Sequence, residues 1–537
     1  MSDIQIFING KIFTSDGRRP WADAMIAEDG KIVWIGSGKE LPDRKGQVTD
    51  LKGRRVIPGF VDAHMHPVML ADFQKKIAVM PPGIRSLKDL EEAVRDCRGK
   101  QGPGQWIRGW GYDEQALAEK RSPNRWDLDR GCSDAPVSIM RTCAHICCVN
   151  SMALKLAGID RNTPDPPGGK IERDAFGEPT GVLKENARNL LAPYLPAEPR
   201  EKQVENLLEL GELLASQGVT AVCDMGNLDS SDNFPIYEEA ARRGFRQRVG
   251  VYYMWDFFGD HPEEFHLLEG RRDRRKQIFA AGLKLIGDGS VSGRTAWMAE
   301  PYEGSKDDFG LPVCSEELLE SAIRFCREQG CQLSMHAMGT RAIDRMVRRA
   351  AGEASWTEEG IPYVRVEHVT LPSEESMRLA AEHGIAFVTQ PIFPYAETAS
   401  YLANLGPERL KQCYPVKTIL DRGVTLGFST DAPATFWAVP SDPFPGLKLA
   451  VTRRAAEGTD CGAAQAVTAE TAIQLYTREA ARAAGMKGSG MLAAGYRADF
   501  AVLSEDIFEA DPERIDQIRV METYIGGECV YRGQEDQ

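Results

Sequence analysis

The sequence predicts an α/β protein: a (β/α)8 TIM barrel with a composite β-sandwich domain made from both termini and a large insert after the first barrel strand. Three observations carry that expectation. Eight short apolar runs alternate with helical patterns through the middle of the chain. Both ends read as short strands joined by turns. The gap between the first two apolar runs is far too long for a βα loop.

The N-terminal segment opens with Ile4–Ile8, the turn pair Asn9-Gly10 and then Lys11-Ile12-Phe13, which predicts a hairpin. Met25-Ile26-Ala27, Asp29-Gly30 and Lys31–Gly36 repeat the pattern. The C-terminus answers with Ala498–Leu503, then Val520–Ile525, Gly526-Gly527 and Glu528–Tyr531. Residues 1–55 plus 488–537 are therefore expected to form one composite β domain. Residues 56–487 would hold the barrel, with strands near 55–63, 219–225, 248–255, 281–287, 331–336, 363–368, 385–390 and 424–430. Val204, Leu207, Leu208 and Leu214 sit at helical spacing before the second strand. The long gap, about 67–200, contains Pro81-Pro82-Gly83 and Pro164–Gly169 and is read as an inserted lid subdomain over the C-terminal mouth.

Composition narrows the function. Of 537 residues, 42% are hydrophobic and 27% charged, enough apolar material for a large core and against general disorder. The net charge of −14 argues against nucleic-acid or anionic-membrane partners, which call for basic surfaces. No run of about 18 apolar residues suggests a membrane span, and the first residues lack a signal-peptide pattern. The 12 scattered cysteines fit reduced, buried thiols. A cytoplasmic location is expected, with a small molecule as partner and, at most, a second copy of the chain as a homodimer.

The eight histidines are the main chemical signal. His64 and His66 end the first strand, and period-two alternation turns both imidazoles to one side with Met65 opposite. Alone, His-x-His is equally readable as half a divalent metal site or as two polar strand-end residues. The fifth strand ends at His336, the sixth at His368 and the eighth at Asp431, where such barrels place catalytic groups. Four strands agreeing is hard to assign to chance. His261, His266 and His383 lie in helix or loop contexts and read as structural. Four nitrogens and a carboxylate suit Zn²⁺.

Five ligands are too few for two ions without a bridge. Lys284 interrupts the apolar fourth strand, a costly place for an unpaired ammonium. Desolvated beside cations, its amine would lose a proton and add carbon dioxide, giving a carbamate able to bridge two metals. The other reading pairs Lys284 with Asp288 or another buried carboxylate. Residue types alone weigh the two equally.

Motifs decide further. PGFVDAHMHP at 58–67, RTCAHICCVNSMAL at 141–154, PPGGKIERDAFGEPTGVL at 166–183 and GLKLIGDGSVSGRTAWMAEPY at 282–302 run through most of the chain. SMHAMGTRAID at 334–344, RVEHV at 365–369, STDAP at 429–433 and GSGMLAAGYRADFAVL at 488–503 continue them. Nearly end to end, the sequence resembles the amidohydrolase superfamily, and within it the N-substituted formamide deformylase-like branch. The resemblance implies that His64 and His66 bind one, more buried ion and His336 and His368 a more exposed one. Lys284, as a carbamate, would bridge them, and Asp431 would touch the first ion and act as the proton carrier. Two divalent ions, zinc first among the candidates, are the implied cofactors. A metal-bridging hydroxide, available because metal binding lowers water's pKa from about 15.7 to about 7, would attack an amide carbonyl. Asp431 would then pass the proton to the leaving amine.

The implied activity is hydrolysis of a linear C–N bond in an N-substituted formamide or related N-acyl amide. Cyclic amide, imide or carbamate hydrolysis stands next, then a mononuclear deaminase and a non-catalytic scaffold of the same fold. His145, in Cys143–Cys148, lacks the paired spacing of a structural zinc site, and the resemblance implies that it belongs to the lid region and faces substrate. Trp110 and Tyr112 are read either as walls of an apolar substrate pocket or as core aromatics. Asp288 follows Lys284 closely and is placed near the substrate or behind the carbamate.

Overall fold

The computed structural model describes residues 4–534 apart from 82, 103, 115, 143–145, 167–168, 197, 227–230 and 256–267. Two compact units divide the chain: Met1–Val68 with Leu207–Thr435 and Ser441–Gln537, and Met69–Asn206 with Phe436–Pro440.

In the first unit eight parallel strands follow one another in sequence order: Phe60–Met65, Val219–Asp224, Arg248–Met254, Ile278–Ile286, Gln332–Ala337, Val364–His368, Ala386–Thr389 and Leu426–Phe428. We number them barrel strands 1 to 8. Their residues are buried almost throughout, as strands covered on both faces must be, so each reads as a continuous apolar run. The helices between them carry ordinary stop and start signals. Glu316–Gln329 is typical: the Ser315 side chain accepts from the Leu318 N–H, Leu319, Ile323 and Cys326 are buried, and Gly330 ends the helix at φ 61°.

Barrel strand 8 is only three residues long, and it meets strand 1 through a side chain. Asp62 Oδ1 accepts the backbone N–H groups of His64 (3.1 Å) and Thr430 (3.2 Å), and Oδ2 accepts the Thr430 hydroxyl at 2.6 Å. The Asp431 N–H donates to the His64 carbonyl (2.7 Å) and the His66 N–H to that of Ala432 (2.8 Å). The seam therefore lies directly beneath three of the predicted ligands. Burial pushes the Asp62 carboxyl up to about 7 against these hydrogen bonds.

Both termini build the flanking β structure. One sheet runs Lys31–Gly36, Ala24–Glu28, Ile4–Ile8, Gln47–Asp50; the other runs Glu528–Arg532, Val520–Ile525, Phe500–Leu503, Arg55–Pro58, Lys11–Phe13, Trp21–Ala22. Phe7, Ile12, Met25, Val56, Phe500 and Tyr524 share their core. Two expectations need correction. The single strand expected at 55–63 is two, because Arg55–Pro58 joins the terminal sheet and only Phe60–Met65 enters the barrel. Gly59 separates them; a Cβ there would lie 2.3 Å from the Thr220 side chain. Ile4–Ile8 and Lys11–Phe13 form no hairpin, since the turn at Asn9 (φ 56°) sends them into different sheets. The hairpins at Asp29-Gly30 and Gly526-Gly527 are present.

The second unit, expected at about 67–200, has a sheet of its own. Its order is Gly169–Arg173, Pro179–Glu185, Ile146–Val149, Val137–Arg141, Ile107–Tyr112, Ile77–Ala78. Leu90, Val94, Leu128, Val137 and Ile139 fill one core, and Val149, Leu154, Ile171 and Leu183 a second. Among the described residues no helix is long and apolar enough to cross a membrane.

Candidate metal centre

Five residues predicted from strand ends, His64, His66, His336, His368 and Asp431, meet Lys284 of barrel strand 4 at the barrel's C-terminal end. His64 and His66 each place Nε2 3.3 Å from the same oxygen, Oδ1 of Asp431. These three ligand atoms lie within 4.8 Å of one another, close enough to share one ion. Lys284 Nζ is 3.4 Å from His64 Nε2. His368 links the halves: its ring centre is 4.9 Å from that of His64 and 4.3 Å from that of His336. Both His368 (φ 72°) and Asp431 (φ 58°) adopt the left-handed region, uncommon for such residues. At His368 this interrupts strand alternation, so that Glu367 and His368, though adjacent, both reach His64.

Each imidazole has one nitrogen tied. His64 Nδ1 lies 2.7 Å from Glu367 Oε2, His66 Nδ1 2.6 Å from the Gly226 carbonyl, His336 Nε2 3.0 Å from the Gly289 carbonyl, and His368 Nδ1 2.9 Å from Gln390 Oε1. Carbonyls and carboxylates only accept, so each tied nitrogen carries the proton. Gln390 keeps its orientation by donating from Nε2 to Ser429 Oγ at 2.9 Å. Gly226, at φ 79°, turns its carbonyl toward His66, and Asp224 Oδ1 fixes its N–H at 2.8 Å. The other nitrogen of each neutral ring is a lone pair available to a metal.

Asp431 Oδ1 is buried and has no hydrogen-bond donor among the described residues. It faces two imidazole nitrogens that, in the neutral rings, are acceptors too. Three converging lone pairs in a buried site are an unfavourable arrangement that a cation relieves, so the residues fit a divalent metal. A proton is the only other remedy. Burial lowers the basicity of His66, but Asp431 more than restores it and the imidazole is raised above its usual value. Proton and metal thus compete for one place.

The rest of the cluster is set for neutral ligands. Burial, aided by Lys284, lowers His336 to about 4, and burial with His336 alongside drives His368 well below its ordinary value. Burial also brings Lys284 down to about 8, against the pull of Glu367 and Asp431. Asp431 is held well below the carboxylate range despite burial by the charge and hydrogen bonds that His64 and His66 supply when a proton, rather than a metal, takes the place between them.

The remaining candidates are held by contacts of their own. Asp288 is buried, and its oxygens accept the backbone N–H groups of Trp297 (2.8 Å), Met338 (2.9 Å) and Gly339 (2.8 Å). It pins the chain beyond strand 4 to the end of strand 5, with His336 Nε2 3.5 Å away, a place behind the cluster. Tyr112 lies fully buried in the second unit's core with Ile107 and Ile139. Trp110 packs on Phe73 at 4.7 Å between ring centres and is 8% exposed. A register shift between Trp110 and Tyr112, with Gly111 at φ 92°, keeps the two from sharing a face. The expectations for His145, His261 and His266 lie outside the described residues; His383 ends the helix Glu374–His383. Glu367, Arg365, Asp62 and Gln390 were missed, although Arg365 and Glu367 interrupt an apolar strand just as Lys284 does.

The amidohydrolase family model, Amidohydro_3, matches residues 47–531. The YtcJ protein of Bacillus subtilis is 31% identical, over 98% of this chain and 99% of its own. The N-substituted formamide deformylase of Arthrobacter pascens is 30% identical, over 99% and 98%. The crystal structure of a metal-dependent hydrolase from Pyrococcus horikoshii covers 95% of this chain and 99% of its own at 26% identity, with a TM-score of 0.75. The chain therefore belongs to the amidohydrolase family and is a metal-dependent hydrolase acting on carbon–nitrogen bonds.

Proposed function

We propose that the protein uses two divalent ions, zinc first among them, to hydrolyse a linear C–N bond in an N-substituted formamide or related N-acyl amide. The observation that carries the metal chemistry is the buried Asp431 Oδ1, without a donor and facing His64 and His66. A second position is supported by His336 and His368, whose centres are 4.3 Å apart. Lys284, buried with its amine brought toward neutrality, is the group able to add carbon dioxide and offer a carbamate oxygen to each position. The substrate class rests on the likeness to the formamide deformylase.

When bound, such ions polarise a carbonyl and lower the pKa of water toward neutrality. His64 and His66 hold one position and His336 and His368 the other, each with its ring fixed by the partner described above. Asp431 accepts the proton of the attacking water and returns it to the amine nitrogen as the C–N bond breaks. One water is consumed, and a carboxylate and an amine are released.

The test has two readouts. Metal-replete protein should contain about two ions per chain, and among N-formyl, N-acetyl, cyclic-imide and carbamate compounds the N-formyl and N-acetyl amides should turn over fastest. Faster ring-opening of a cyclic imide, or faster carbamate cleavage, would replace the substrate assignment. One ion per chain would replace the binuclear one.

A further inference from the structure

Barrel strand 6 buries a full ion pair beneath the metal centre. Arg365 and Glu367 are both 0% exposed, two residues apart in a strand otherwise made of valine and histidine. Glu367 Oε1 accepts from the Arg365 guanidinium and from the Ser334 hydroxyl at 2.8 Å. Its Oε2 accepts from Arg365 Nη2 at 2.9 Å and from His64 Nδ1 at 2.7 Å. Arg365 also donates to the Ala63 carbonyl, one residue before His64, and its guanidinium lies 5.2 Å from the centre of the Tyr252 ring. Every lone-pair direction of the carboxylate is thereby occupied.

Such a pair is a poor device for stability. Desolvating two charges offsets most of their attraction, and well-packed apolar residues do as well or better in the same space. What it provides that apolar packing cannot is a fixed anionic acceptor for one imidazole N–H. The other three imidazoles at the centre are tied to neutral acceptors: the carbonyls of Gly226 and Gly289 and the amide of Gln390. Among the described residues only the His64 imidazole hydrogen-bonds a carboxylate; Asp288 stands 3.5 Å from His336 Nε2, whose hydrogen bond goes to Gly289. A carboxylate behind an imidazole fixes its tautomer and aims the lone pair of the opposite nitrogen, making it the better metal ligand.

We propose that Arg365 and Glu367 act as a positioning unit for His64, strengthening the position made by His64, His66 and Asp431 relative to that of His336 and His368. Arg365 orients the carboxylate, the carboxylate orients the imidazole, and neither touches substrate. The inference rests on the metal-centre reading above, and the experiment separates the two.

Zinc affinity is measured by competition with a chromophoric chelator, and ligand geometry from the visible spectrum of the cobalt-loaded protein. Glu367→Gln keeps the size but turns an amide NH2 toward donors, and should weaken the tighter zinc about 10–100-fold and alter the cobalt spectrum. Because it strands Arg365, the variant Arg365→Met/Glu367→Leu is examined beside it. That pair removes both charges, should retain the wild-type far-UV circular dichroism, and should still show the weakened zinc. Gln390→Leu should act on the other position and leave the tighter zinc within about twofold, since its imidazole is a different one. Wild-type zinc affinity and cobalt spectrum in the folded double variant would overturn the positioning role alone. Wild-type protein that takes up no zinc would overturn the metal reading and this inference with it.

Discussion

Asp431 in the barrel and Asn150 in the second unit are both buried polar side chains, and they are treated in opposite ways. The Asn150 amide is satisfied on every side: Oδ1 accepts from Val137 N and Ala153 N at 3.0 Å each, and Nδ2 donates to the Cys132 and Ala135 carbonyls at 2.8 and 2.9 Å. It caps the helix Ser151–Leu156 and ties it to strand Val137–Arg141. Asp431 Oδ1 has no donor and is pointed at by two imidazole nitrogens. Complete satisfaction marks a structural residue and convergent dissatisfaction a functional one. An orphan atom by itself is not enough: the Tyr112 hydroxyl also lacks a hydrogen-bond partner among the described residues, but it sits in a core with Ile107, Leu128 and Ile139, near the Cys147 and Cys148 thiols rather than a set of imidazoles.

The strongest way to break that contrast is Lys284→Ala. If Lys284 bridges two positions, its removal leaves two cations to repel each other, so one ion should be lost per chain and amide hydrolysis should fall to background. Short carboxylic acids should restore part of the activity by filling the vacated space. Full activity with two ions in this variant would end the bridging assignment. Metal analysis and turnover with added formate or acetate read all three results.

Asp431→Asn comes next and separates ligand from proton carrier. Asn is close in size and still offers an oxygen, so much of the metal should remain. It cannot take a proton from water, so kcat should fall by about 10²–10⁴. Normal turnover at normal metal content would move the base to another residue.

What made this candidate centre legible in the sequence is that its residues sit in or at the ends of apolar strands, where one polar letter stands out. The eight strands were legible for the same reason, each being a run of buried apolar residues. The supports were not. Glu367 meets His64 across 303 residues of chain, and Asp62 meets Thr430 across 368, so no local pattern announces either. The second unit's six-stranded sheet was hidden differently. Its strands are short and carry Arg108, Arg141, Lys170 and Arg173, which blur the alternation that marks a strand. The turn at Asn9-Gly10 had the residues of a hairpin, but pairing partners elsewhere in the chain took each arm.

In the second unit Trp110→Ala sharpens the contrast from the other side. The ring is almost wholly buried and packs on Phe73, so truncation should lower stability by about 3–5 kcal/mol. Thermal unfolding should show this, with the metal content of the folded protein unchanged. A stable variant with kcat/KM reduced only for bulky N-substituents would return Trp110 to the substrate pocket.

The smallest effect is expected at Tyr112, and it tests whether an isolated orphan carries function. Its hydroxyl is buried in the core without a hydrogen-bond partner among the described residues, and burial pushes the phenol far above its usual value, so it is neutral at any working pH. A buried hydroxyl with no partner costs desolvation and returns nothing, whereas phenylalanine fills the same space without that cost. Tyr112→Phe should therefore change stability by no more than about 1 kcal/mol, in the stabilising direction, and leave metal content and amide turnover as they were. Denaturant midpoints for the two proteins decide it. A clear loss of turnover at full stability would mean that the hydroxyl meets substrate or an ordered water, and the rule drawn from Asp431 would then have to admit single orphan atoms.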